Sequence, residues 1–120
     1  MTRRKPKSPI EGRWHIVSMT EWDEGYLHEA VQAYIEFEPK DHGTFQFGYV
    51  WGEMDSRFTE RDGKSAVEFS WEGNDESDSM FGRGWAVLED DELNGMIFMH
   101  NGEESGFTAE RTGKKTGRKK

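Results

Sequence analysis

Residues 65–88 read SAVEFSWEGNDESDSMFGRGWAVL, and the fold turns on how this stretch is parsed. Val67, Phe69 and Trp71 alternate with Glu68, Ser70 and Glu72, the period-two pattern of a strand with one buried face. Gly82, Gly84, Trp85, Val87 and Leu88 open a second strand. The densely negative run from Gly73 to Ser79 reads as an acidic loop joining the two. Two strands with a short polar link make an antiparallel hairpin.

The same grammar extends in both directions. Upstream, residues 12–20 (GRWHIVSMT) form a first strand with Trp14, Ile16 and Ser18 on one face and His15, Val17 and Met19 on the other. Residues 33–38 alternate and stop at Pro39, and Asp41-His42-Gly43 turns the chain. Residues 44–58 (TFQFGYVWGEMDSRF) are too long for one flat strand. They are either one curved strand or two shorter ones, with Gly48 and Gly52 marking a bulge or bend. Asp62-Gly63 is a hairpin signal. Downstream, residues 89–92 form an acidic turn, residues 93–100 a strand, Asn101-Gly102 a turn and residues 107–111 a last strand. Between the first two strands, Trp22, Tyr26, Ala30 and Tyr34 recur at helical spacing, while Gly25 weakens a continuous helix. One short helix or an ordered loop is expected there.

The chain thus reads as all-β, an antiparallel meander of roughly seven or eight strands. Closure, full or nearly so, into a barrel removes its exposed edges; a two-sheet sandwich is the alternative. At 120 residues it is one domain with a modest core. Only 32% of the residues are hydrophobic, but eight Phe, five Trp and three Tyr bury much area each. The domain is expected over residues 10–112, with residues 1–9 and 113–120 as disordered basic tails. Nine of the 16 basic residues lie in those tails, whereas residues 10–113 hold seven basic residues and all 24 acidic ones, a balance of −17. Basic tails suit a polyanion. A body this negative repels nucleic acid, so nucleic acid is not expected as a partner and the tails read as solvated ends. No apolar run has the length of a membrane span, and no apolar segment follows the charged N-terminus as in a secretory signal. With no Cys there is no disulfide framework. A cytoplasmic location is the expectation.

The Gly12-x-Trp14 opening resembles the first-strand signature of the calycin superfamily, which includes lipocalins, fatty-acid-binding proteins and avidins. That resemblance implies a barrel in which an Arg from the final strand packs over the Trp and bonds the chain before the first strand. Arg111 matches by position. It also implies that residues 22–30 partly lid the barrel mouth. The chain looks similar, too, to a small bacterial family of no assigned activity. That family carries a Trp-Glu-Gly-x-Asp-Glu-x-Asp loop followed by Gly-Arg-Gly-Trp, here residues 71–78 and 82–85.

Several residue sets are candidates for chemistry. Trp14 and Arg111 read as a cation–π plug closing the barrel, or as a ligand-contacting pair. Tyr49, Trp51, Trp71 and Trp85 suit the wall of a pocket for a small hydrophobic or aromatic ligand, or simply the filling of a core short of aliphatics. Arg83, between two glycines, suits a carboxylate or phosphate clamp, or an ion pair to Asp75, Glu76 or Asp78. Asn74, Glu76 and Asp78 alternate like calcium ligands. Ser79 stands where the sharp-turn Gly belongs, and Trp85 where the bidentate Glu belongs, so no metal is assigned. Glu53, Asp55 and Arg57 fall on one strand face if no bulge intervenes, and read as acid–base machinery, as a polar cluster inside a barrel, or as an ordinary exposed face. The four His are scattered, and there is no phosphate loop, nucleophile elbow or Cys nucleophile. No cofactor is implied. The expected function is non-enzymatic binding of a small hydrophobic or aromatic molecule in a barrel pocket. The alternatives are a protein-interaction module, perhaps homodimeric, using an aromatic face and the basic tails, and an enzyme built on Glu53, Asp55, Arg57 and Arg83.

Overall fold

The computed structural model describes residues 8–111. Eight antiparallel strands run in chain order around a closed barrel, each paired with its sequence neighbours and the last paired with the first. They are β1 (Gly12–Met19), β2 (Tyr34–Glu38), β3 (His42–Phe47), β4 (Val50–Arg61), β5 (Lys64–Asp75), β6 (Asp78–Glu89), β7 (Glu92–Met99) and β8 (Glu104–Arg111). The helix α1 (Glu24–Leu27) follows β1. The meander and its closure are those expected from the alternating pattern. The basic tails fall outside the described residues except for Ser8 and Pro9. These two were expected in the tail, yet Ser8 is buried, its hydroxyl accepts from the Ile10 N–H at 3.1 Å, and its carbonyl accepts from the Glu11 N–H. Ser8 is thus tied into the segment that leads to β1, which starts at Gly12 as expected.

Residues 44–58 take the two-strand alternative, dividing into β3 and β4 at Gly48-Tyr49, and other boundaries are corrected by pairing. Gly52, expected at a bend, lies in register between Phe45 and Gly73. Gly48 takes φ +58°, and a Cβ there would lie 2.2 Å from the Tyr26 ring, so both backbone and packing require glycine. The turn expected at Asp41-His42-Gly43 comes earlier, at Pro39-Lys40-Asp41, and His42 and Gly43 join β3. The acidic stretch Gly73–Ser79 is not a loop. Gly73, Asn74 and Asp75 pair with Met80, Ser79 and Asp78, leaving only Glu76-Ser77 as a two-residue turn. Its polarity reflects exposure beyond the core rather than absence of pairing. The hairpin turns at Asp62-Gly63 and Asp90-Asp91 both have positive φ at each central residue, as type I′ turns require.

Along each strand, alternate residues enter one hydrophobic cluster inside the tube. In β1 the parity changes. A bulge between Ile16 and Ser18 brings Met19 to the same side as Trp14 and Ile16, where an uninterrupted strand would have turned it outward. The interior is filled by rings. Phe45 meets Trp71 edge-on at 5.0 Å, Phe37 lies 6.1 Å from Phe69, and Phe45 stacks on Phe47 at 5.9 Å. Glycines on facing inner positions make room for them. A Cβ on Gly84 would stand 2.4 Å from the Phe69 ring, and one on Gly52 within 2.8 Å of the rings of Phe45 and Trp71. Large aromatics set against bare backbone are how a chain with few aliphatics reaches core density.

Candidate functional site

Both ends of the tube are covered. At the end where β1 starts, Ile10 and Trp14 are buried, and the Trp14 Nε1–H donates to the Ile10 carbonyl at 2.9 Å. The Arg111 guanidinium lies 4.0 Å from the Trp14 ring centroid and donates to the carbonyls of Glu11, at 3.0 Å, and Pro9. Burial lowers the Arg111 pKa from its ordinary value. Gly12 belongs here because a Cβ on it would press on the guanidinium at 2.8 Å. Trp14 and Arg111 are thus placed as a structural plug, with both partners turned toward the chain itself.

At the opposite end α1 lies across the mouth. Asp23 caps it by accepting from the Tyr26 N–H at 3.0 Å, and Leu27 is fully buried. Trp22 packs on Phe47 at 5.0 Å, and the Leu27 carbonyl accepts from the Gly48 N–H. Tyr49 takes part in this cover, edge-on to Tyr26 at 6.3 Å, and burial raises the Tyr26 hydroxyl pKa.

The expected aromatic pocket is not assembled. Trp71 faces inward with its Nε1–H donating to the Phe98 carbonyl at 3.2 Å. Trp51 and Trp85 pair across the ladder with Asn74 and Glu68 and belong to the outer face, and Tyr49 lies at the mouth. These four therefore do not line one cavity. The physical reason lies in β6. Its inner positions Gly82, Gly84 and Ala86 are small: a Cβ on Gly84 would meet the Phe69 ring and one on Gly82 the Phe98 backbone, while Phe81, Arg83 and Trp85 are turned outside.

That outward set builds a site of its own. A groove of about 1350 Å³ runs over the outer face of β4–β7. Glu53, Asp55 and Arg57 come from β4, Glu68, Ser70 and Glu72 from β5, Phe81, Arg83 and Trp85 from β6, and Phe98 from β7. His42 and His100 stand at its margins, and Trp71 contributes only from beneath the floor. The ladder sets the side chains in rows. Asp55, Ser70, Arg83 and Phe98 are consecutive partners, as are Arg57, Glu68, Trp85 and Met96. Phe81 is 54% exposed and stacks on His100 at 4.6 Å. Trp85 carries the Arg61 guanidinium over its ring at 4.5 Å.

Comparison with protein-family models, with curated proteins and with solved structures returns no match to this chain.

Charge in the groove is partly neutralised. Asp55 pairs with Arg57 at 2.6 Å and Glu68 with Arg61 at 3.7 Å. Arg83 does not reach Asp75, Glu76 or Asp78, because its ladder partners are Ser70 and Phe98, several residues from the β5–β6 turn. The expected face of Glu53, Asp55 and Arg57 does exist, on the open wall of the groove, with Asp55 held by Arg57. No group of three or more His, Asp or Glu able to hold a metal ion occurs among the described residues. No helix among them is long and apolar enough to cross a membrane. Phe81, Phe98 and His100 were not singled out from sequence. The signal was their odd-even phase with Arg83 and Trp85 across two strands.

Proposed function

We propose that this chain is a small non-enzymatic binding protein that takes a small hydrophobic or aromatic ligand on the outer groove of β4–β7. The observation that carries this reading is the division of aromatics between the two faces. The interior rings pack on one another and on glycine, while Phe81 keeps more than half its surface in water in the groove that Trp85 and Phe98 also line. An apolar wall with a few polar groups converging on it is the usual make-up of a small-molecule site. The ligand is therefore read as lying outside the tube, not within it. The Arg111–Trp14 plug supports assigning the barrel to the calycin kind, as the Gly12-x-Trp14 opening implies. A cytoplasmic location belongs to the same proposal, in keeping with a chain free of Cys.

Titration with N-phenyl-1-naphthylamine, a neutral apolar probe, tests the reading through Trp fluorescence. Saturable one-to-one quenching that is lost in Phe81→Ser supports it. No uptake, with a stable dimer in sedimentation, would favour the alternative in which a second copy covers the exposed Phe81.

A further inference from the structure

Arg83 distinguishes itself among the described arginines. Arg13 pairs with Glu36, Arg57 with Asp55, Arg61 with Glu68, and Arg111 is held by backbone carbonyls and Trp14. Arg83 makes no hydrogen bond, ion pair or ring contact among the described residues, in a chain of net charge −8. Its direct neighbours along β6 are Phe81 and Trp85, and across the ladder they are Ser70 and Phe98; Glu68 and Glu72 stand diagonally on β5, and neither forms an ion pair with it. A planar guanidinium is thus presented inside an aromatic frame with its donors free.

We propose that the groove takes an aromatic monoanion, a small planar molecule carrying one carboxylate. This rests on the groove reading above and names its ligand class. The carboxylate sits on the Arg83 fork, within reach of the Ser70 hydroxyl, and the ring lies on the open face of Phe81. Side chains two apart on a strand are spaced by roughly 7 Å, which matches the span from a carboxylate to the far edge of an attached ring. The charge is limited to one by the rim. Glu53 and Glu72 are opposite each other beside Phe81, and neither has an ion pair among the described residues. They penalise a second negative charge in the same place.

The test uses 1-naphthoate, neutral 1-naphthalenemethanol and 1-naphthyl phosphate, each titrated calorimetrically against the full chain and against Arg83→Gln. Naphthoate is expected to bind one-to-one about tenfold or more tighter than the alcohol. The phosphate is expected to bind more weakly than naphthoate. Arg83→Gln should bring naphthoate down to the affinity of the alcohol. Equal binding of naphthoate and alcohol, or indifference of naphthoate to Arg83→Gln, overturns the anion anchor and leaves the groove standing. Tighter binding of the phosphate overturns the single-charge limit. If none of the three binds, the groove reading itself fails.

Discussion

The inner and outer faces of β5 and β6 carry similar residue types with opposite fates. Inside, Phe69 and Trp71 lean on the bare backbone of Gly84 and Gly52 and are almost wholly removed from water. Outside, Phe81 and Trp85 stand on the same hairpin around Arg83 and remain accessible. A shift of one residue along the strand separates core from surface, since side chains alternate. Aromatic content alone therefore says nothing of function here. What matters is which rings have a glycine opposite them and which have solvent.

The largest effect should come from the inner face. Trp71→Ala removes a ring packed on Phe45 and leaves a void, with a loss of about 3–5 kcal/mol in denaturant unfolding. A loss below about 1 kcal/mol would mean the interior is not packed as described. Gly84→Ala should cost about 1–3 kcal/mol, because its Cβ would enter the Phe69 ring and the Met96 carbonyl, leaving the core no room to relax. Ser56→Ala runs the other way. The Ser56 Oγ is fully buried on β4 without a hydrogen-bond partner among the described residues, so its removal should leave stability unchanged or raise it by up to about 1 kcal/mol. Phe81→Ser should change stability by less than about 0.5 kcal/mol while abolishing probe binding. Destabilisation as large as that of Trp71→Ala would erase the distinction between the faces.

The smallest effect concerns pH. Burial, and then Arg13 and His28, lower the His15 pKa below 6.5 in the folded chain. The unfolded chain then holds more protons just below that value. The His15 contribution is thus constant above about pH 6.5 and turns against the fold as pH falls through the window beneath it. Comparing His15→Gln with the parent chain between pH 7 and 5 isolates this slope, which should be shallower in the variant.

Much of the fold was legible in the sequence because a half-buried strand writes its period directly. Strands β2, β7 and β8, and the turns at Asp62-Gly63 and Asn101-Gly102, follow from alternation and turn chemistry alone. The Trp14–Arg111 contact followed from the calycin resemblance, not from periodicity. Two things escaped. The β5–β6 hairpin continues through Gly73–Asp75 and Asp78–Met80, where Met80 alone of these residues carries an apolar side chain to the core, and a ladder this polar reads as loop. The phase of Trp51 and Trp85 escaped as well. The bulkier face of β6 would ordinarily be assigned to the interior, but the space is set by the neighbouring strands: the Phe69 ring lies against Gly84 and the Phe98 backbone against Gly82. Of the residues grouped from sequence, Trp71, Arg83 and Trp85 meet at one groove, Trp71 only from beneath its floor, while Tyr49 and Trp51 lie elsewhere on the barrel.

The claim that the inner rings build the barrel and the outer rings serve binding can be read from the Trp indole N–H signals in a heteronuclear NMR titration with 1-naphthoate. Trp14 and Trp71, whose indoles are bonded to the carbonyls of Ile10 and Phe98, should keep their positions while the Trp85 signal moves with saturation. Movement of Trp14 and Trp71 with Trp85 unmoved would put the ligand inside the tube and contradict the account.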